Sequence, residues 1–149
     1  MPLYFAYGSN LDPDQMKRRC PESKFKIAGF LQGYRLDFTW YSPGWVGGIA
    51  DIVLDPQEEV WGVVYELTIK DLELLDAYEG YPEIYTRFQT SIETSEGTLN
   101  DVWVYAVVNK NTFIPPSRQY LEIIKRGAVL FGFPEDYRSF LEKIIIQRT

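Results

Sequence analysis

The sequence predicts a mixed α+β fold whose sheet curls into a small, partly closed barrel, and three observations carry that reading. Strand-like runs outnumber helical patterns, and most follow one another directly instead of alternating with helices, which argues against a doubly wound parallel sheet. Many short strands with few helices to cover them favour a sheet that closes on itself. A chain of 149 residues, 46% hydrophobic and 24% charged, has the size and balance of one globular domain over 1–149. It carries no repeat, low-complexity tract or linker.

The elements follow in order. Leu3 to Tyr7 is an apolar strand that stops abruptly at Gly8-Ser9-Asn10. Leu11-Asp12-Pro13-Asp14 then opens a helix, with Asp12 as N-cap, Pro13 at the first helical position and Gln15 placed for a capping box. That helix ends with Lys17, Arg18 and Arg19, which complement its dipole and are expected to face water. Strands are expected at Phe25 to Leu31, Tyr34 to Thr39, Gly48 to Leu54 and Val60 to Leu67, with reversals at Ser42-Pro43-Gly44 and Asp55-Pro56. Thr68-Ile69-Lys70-Asp71 reads as a second capping box, opening a helix over Ile69 to Tyr78 that Gly80 stops, with Leu72, Leu75 and Tyr78 along one face. Tyr85 to Ile92 and Val102 to Val108 form a hairpin closed by Thr94-Ser95-Glu96-Gly97. Helices over Ser117 to Val129 and Pro134 to Ile146 complete the chain.

Composition excludes several chemistries. A net charge of −6, with one basic triplet, argues against a nucleic-acid partner. No apolar run reaches membrane-spanning length and the N-terminus lacks the pattern of a secretory signal, so a soluble, cytoplasmic protein is expected. The lone cysteine, Cys20, cannot form an internal disulfide, which agrees with a reducing compartment. The absence of histidine removes the usual Ser-His and Cys-His couples and makes a zinc site improbable, so no metal or other cofactor is expected. Acid-base chemistry falls to Glu, Asp, Tyr, Lys or Cys. Aromatics reach 16%, which suits a tyrosine-lined pocket and an aromatic β core alike.

Two local features point to chemistry. The strand-to-helix junction at Gly8-Ser9-Asn10 is a small-anion cradle: glycine lets backbone come close, and Ser9, Asn10 and free N–H groups can donate to a carboxylate or oxyanion. A plain strand-turn-helix corner would read the same way. Glu79 stands at a helix C-terminus, where the macrodipole disfavours a carboxylate by about 0.3 to 1 kcal/mol at an exposed site. Partial desolvation by Tyr78, Tyr81 and apolar neighbours would raise its proton affinity into the range of a useful base. The residues leave open whether Glu79 is that base or a solvated helix end. They leave Asp76 and Glu83 as neighbouring acids, on an exposed helix position and a turn.

Phe5-Ala6-Tyr7-Gly8-Ser9-Asn10-Leu11, Gly47-Gly48-Ile49-Ala50, Val60-Trp61-Gly62-Val63-Val64-Tyr65, Leu75-Asp76-Ala77-Tyr78-Glu79-Gly80 and Pro115-Pro116-Ser117-Arg118-Gln119-Tyr120, in register, resemble the gamma-glutamylcyclotransferase family over nearly the whole chain. The resemblance implies a small mixed β-barrel with surrounding helices and a cavity at the barrel's end. It implies a small γ-glutamyl substrate held by the segment Tyr4, Phe5, Ala6, Tyr7, Gly8, Ser9 and Asn10, with Tyr85 and Tyr120 lining the pocket. It makes Glu79 the catalytic acid-base residue. The chain is slightly shorter than the mammalian-type pattern between Glu79 and Tyr85 and carries Tyr81-Pro82-Glu83, so the loop over the pocket is expected to differ.

The implied reaction cyclises the substrate: its own α-amine attacks its γ-carbonyl, giving 5-oxoproline and a free amine, as in glutathione metabolism. A protein without histidine or metal can run it, because positioning a flexible substrate supplies much of the acceleration. Two alternatives stand beside a cyclotransferase for γ-glutamyl amino acids. One is a cyclotransferase for γ-glutamylamines, and the other is a non-catalytic binding module for small metabolites on the same fold. A homodimer is compatible with the sequence.

Overall fold

The computed structural model describes residues 1–148 and contains a closed five-stranded barrel with four α-helices. Strands β1 (Leu3–Ala6), β2 (Lys24–Ser42), β3 (Gly47–Glu66), β4 (Tyr85–Thr94) and β5 (Gly97–Val107) are joined in the spatial order β1-β3-β2-β4-β5. β5 returns to pair in parallel with β1, through Leu3 with Val102 and Tyr4 with Trp103, while every other pair is antiparallel. The barrel is therefore mixed, as expected. The helices are α1 (Pro13–Arg19), α2 (Ile69–Glu79), α3 (Arg118–Leu130) and α4 (Glu135–Glu142), and a 3-10 turn at Ser9–Leu11 joins β1 to α1.

The seven expected strands are five. Phe25–Leu31 and Tyr34–Thr39 belong to β2, and Gly48–Leu54 and Val60–Leu67 to β3, save that Leu67 lies just past its end. Asp55-Pro56 does not reverse the chain. The pairing steps from Gln32 with Glu59 to Tyr34 with Leu54, so residues 55–58 bulge opposite Gly33. A proline in a bulge forfeits no ladder hydrogen bond, so the two strand segments continue as one. The reversal at Ser42-Pro43-Gly44 and the hairpin at Thr94 to Gly97 form as expected.

Helix caps account for most helix boundaries. The Asp12 carboxylate accepts from Asp14 N–H (3.0 Å), Thr68 Oγ1 from Asp71 N–H (3.0 Å) and Ser117 Oγ from Tyr120 N–H (3.2 Å). Gln15 is not part of a capping box: its side-chain amide turns inward onto Ser9 and Asn10. On α2, Leu72 and Leu75 are buried but Tyr78 is exposed, so the apolar face is shorter than the spacing suggested. Gly80, left-handed at φ 66°, ends that helix. Helix α4 stops at Glu142, four residues before the expected Ile146. The tail runs on without helix: Ile144 and Ile146 pack on the core, while Gln147 donates from N–H to Pro116 O and from Nε2 to Pro115 O, both at 2.8 Å.

The core is continuous. It includes Phe5, Leu31, Phe38, Ile52 and Ile92 from the strands, with Leu11, Met16, Leu75, Leu121 and Ile124 from the turn and helices. The connection after β5 is tied down by Asp51, fully buried on β3. Asp51 accepts from Thr39 Oγ1 (2.6 Å), Val107 N–H (2.9 Å) and Lys110 Nζ (2.7 Å). Asn111 N–H and Ile114 N–H then bond to Thr39 O and Phe38 O, and Gly48 N–H to Pro115 O, laying residues 111–115 along the end of the β2–β3 hairpin. That course sets where α3 begins. Among the described residues no helix is long and apolar enough to cross a membrane.

Candidate active site

A cavity of about 390 Å³ lies where β1 runs into the 3-10 turn, the C-terminus of α2 and the tip of the β2–β3 hairpin meet. Eight of the expected site residues line it: Tyr4, Tyr7, Gly8, Ser9, Asn10, Glu79, Tyr85 and Tyr120. Phe5 and Ala6 do not. Both are fully enclosed on β1, paired with Val64 and Val63, and belong to the core beneath the turn. Strand geometry sends successive side chains to opposite sides, so a contiguous segment crossing from strand to turn cannot present every residue to one cavity.

Glu79 is the last residue of α2 and, among the described residues, the only Asp or Glu on the cavity wall. Burial pushes its carboxyl up to about 7 from an ordinary 4.5, Arg19 works against the rise and Asp76 adds to it. The neighbouring acids do other work. Asp76 is held by Arg87 through Nε to Oδ1 (2.8 Å) and Nη2 to Oδ2 (3.1 Å), and it accepts from Tyr105 Oη at 2.6 Å. It is thus an ion-paired anchor of α2 on β4 and β5, not an exposed helix position. Glu83 is exposed in the turn after Gly80. That turn is closed by Ile84 N–H to Gly80 O (2.9 Å), and the Arg87 guanidinium lies 5.0 Å from the Tyr81 ring and 4.2 Å from that of Trp103.

The tyrosine hydroxyls are anchored. Tyr7 Oη donates to Tyr105 O (2.8 Å), Tyr85 Oη donates to Ala50 O, and Tyr120 Oη accepts from Ala50 N–H (2.9 Å). Burial raises the pKa of Tyr4, Tyr7, Tyr85, Tyr105 and Tyr120 above the usual phenol range, so all five are neutral hydrogen-bonding groups at physiological pH.

The turn at Ser9–Leu11 is braced from α1. Gln15 Nε2 donates to Ser9 Oγ (2.8 Å) and Asn10 Oδ1 (3.0 Å), Asn10 Nδ2 donates to Tyr4 Oη (2.9 Å), and Arg19 Nη1 reaches Asn10 Oδ1 (3.2 Å). Asn10 is only 3% exposed, and its amide is spent on this bracing. The N–H groups that open a helical turn have no partner within it, so those ahead of Leu11 are the donors suited to an anion.

The cavity residues outside the expected set include Arg19, Trp40, Trp45 and Tyr105. Arg19 reads as a helix-end charge in the sequence, and the α1 spacing that puts it one turn from Gln15 is the signal that could have linked it to the turn. Trp45 packs edge-on against Tyr120, with ring centroids 5.1 Å apart. Tyr105 lies within an expected strand, where nothing local distinguishes it from a core aromatic. Among the described residues no group of three His, Cys, Asp or Glu is arranged to hold a metal ion. The cavity can thus bind a small polar molecule, offer it hydroxyl and backbone donors, and move a proton at Glu79.

A family model described as the AIG2-like family matches residues 59–141. The gamma-glutamylcyclotransferase of Mus musculus is 37% identical over 147 residues, covering 95% of this chain and 78% of the mouse protein. The Homo sapiens protein of the same name is 38% identical over the same shares. A solved structure titled gamma-glutamyl cyclotransferase superposes with a TM-score of 0.93 at 36% identity, covering 99% of this chain and 90% of that one.

Proposed function

This chain belongs to the gamma-glutamylcyclotransferase family, and from that premise we propose that it converts a γ-glutamyl amino acid or related γ-glutamyl amide to 5-oxoproline and the free amine, with Glu79 as acid-base residue. The observation that carries the reading is Glu79 itself, a carboxyl on the wall of a tyrosine-lined cavity with a proton affinity raised to about 7. A group poised there can both take and return a proton near neutral pH.

Glu79, as carboxylate, removes a proton from the substrate α-ammonium. The freed amine attacks the γ-carbonyl, forming the ring C–N bond, and the tetrahedral intermediate collapses by breaking the bond to the leaving nitrogen. Glu79 hands that nitrogen the proton, and the ring nitrogen sheds its remaining extra proton to solvent. Backbone N–H groups around Gly8 and Ser9 supply hydrogen bonds to the substrate carboxylate or to the oxyanion. Tyr7, Tyr85 and Tyr120, with their own hydroxyls anchored, keep the pocket's shape, so the flexible γ-glutamyl chain is held folded for attack.

The test is mass-spectrometric detection of 5-oxoproline after incubation with a panel of γ-glutamyl amino acids, γ-glutamylamines and glutathione. Product from at least one is expected, and the productive members identify the leaving group. Failure across the panel would overturn the proposal. The reading also sets a pH dependence. Because the base is the deprotonated form, kcat/KM should fall about tenfold per unit below the Glu79 pKa of about 7. A profile flat down to pH 5 would exclude Glu79 as the base.

Ser9 Oγ accepts from Gln15, which leaves its O–H for the substrate. Ser9→Ala should raise KM by roughly fivefold, the worth of one net hydrogen bond, with kcat little changed. Steady-state kinetics separate the two, and an unchanged KM would leave only the backbone of Ser9 in a binding role.

A further inference from the structure

We propose that Arg19 is the carboxylate receptor of the cavity: its guanidinium, held between Asn10 and the Tyr78 ring, binds a carboxylate of the γ-glutamyl substrate. The inference rests on the cyclotransferase reading and goes beyond it by assigning the cavity's counter-charge. Among the described residues Arg19 is the only Lys or Arg on the cavity wall, as Glu79 is the only Asp or Glu. Among the described residues it joins no ion pair, whereas Arg87 nearby is committed to Asp76.

The side chain is also pre-positioned. Arg19 Nη1 donates to Asn10 Oδ1 at 3.2 Å, and Asn10 is fixed in turn by Gln15 and Tyr4. The guanidinium carbon lies 5.0 Å from the Tyr78 ring centroid, a placement that orients its plane and explains why so large an aromatic stands exposed on α2. The contacts within the protein use one N–H of the guanidinium fork, leaving the others for a carboxylate, the geometry in which arginine binds most strongly. Lys17 and Arg18, by contrast, are exposed and serve the helix end as expected.

Arg19 acts on Glu79 too. The groups that face Glu79 are Asp76 on its own helix, Arg19 and Cys20 at the end of α1, and the neutral Tyr4, Tyr7, Tyr85, Tyr105 and Tyr120. Arg19 is the one cation among them. Removing its charge should shift the acid limb of kcat/KM to higher pH, which a purely structural role would not do.

The test separates binding from turnover. Binding of γ-glutamylalanine and of 5-oxoproline is measured by calorimetry on Glu79→Gln protein, with and without Arg19→Gln. The pH profiles of Arg19→Gln and Arg19→Lys are measured with Glu79 intact. Arg19→Gln should weaken binding by roughly tenfold to a hundredfold. Loss for both ligands assigns Arg19 to the α-carboxylate they share. Loss for γ-glutamylalanine alone assigns it to the leaving amino acid's carboxylate. Arg19→Lys, which keeps the charge but not the fork, should hold the acid limb near its original place while binding more weakly than arginine, and it carries the test if the Gln variant does not fold. Turnover with Arg19-independent binding of both ligands would overturn this proposal alone. Absence of both turnover and binding with arginine in place would overturn the reaction and the receptor together.

Discussion

Glu79→Gln is expected to fold and to lose cyclisation by roughly a hundredfold to ten-thousandfold in kcat, the usual contribution of a positioned acid-base group. Gln is nearly isosteric with Glu and cannot accept the proton. The same substitution should change stability in a pH-dependent way. The folded-state pKa of about 7 lies above the unfolded value of 4.5, so the folded protein binds the extra proton between those values. The stability this gives is full below pH 4.5 and lost as pH rises through 7, where the buried carboxylate must be charged. Relative to the parent, Glu79→Gln should therefore gain stability above pH 7, by up to about 3 kcal/mol, and the gain should vanish below pH 4.5. Thermal unfolding at pH 8 and pH 4 reads the difference. Equal melting temperatures at both would mean that Glu79 is not desolvated, and undiminished turnover would remove it from the mechanism.

Gly48→Ala is expected to destabilise the fold by about 3 kcal/mol and to disturb the cavity with it. A Cβ on Gly48 would stand 2.0 Å from Ile114 O and 2.9 Å from its carbonyl carbon, a collision with backbone that no rotamer change relieves. The segment it would push away, residues 111–115, is the one that places Ser117 as the cap of α3, and Tyr120 one turn on against Ala50. Urea unfolding measures the loss. KM should rise in the surviving folded protein, because Tyr120 shifts at the cavity wall. A midpoint within experimental error of the parent would show that the 111–115 segment gives way freely, and that the close approach at Gly48 is not what holds α3 in place.

Much of this was legible in the sequence because it rests on local chemistry. The caps at Asp12, Thr68 and Ser117, the stop at Gly80 and the turn at Thr94 to Gly97 are short-range patterns whose physics is complete within four or five residues. Glu79 could be singled out for the same reason, since a carboxylate at a helix C-terminus is unfavourable wherever the helix lies. What escaped depends on partners far away in the chain. Asp55-Pro56 has the composition of a turn, but Gly33 across the ladder absorbs the mismatch, so the strand continues. The last turn of the expected final helix is lost because Gln147, just beyond it, bonds to Pro115 and Pro116, about thirty residues earlier in the chain. Gln15 and Arg19 look like ordinary surface residues of a short helix until that helix is set against the 3-10 turn, where both reach Asn10. Phe5 and Ala6 show the opposite: a motif gathers residues by adjacency, and the strand's alternation assigns part of it to the core.

Whether the protein closes its substrate on itself with Glu79 moving the proton is decided by following a γ-glutamyl substrate labelled with ¹⁵N at the α-amine, using the parent protein and Glu79→Gln side by side. The parent should place the label in the ring of 5-oxoproline, while Glu79→Gln should leave the substrate intact. Labelled glutamate in place of the ring product would show hydrolysis instead of cyclisation, and equal ring formation by both proteins would show that Glu79 is not its acid-base residue.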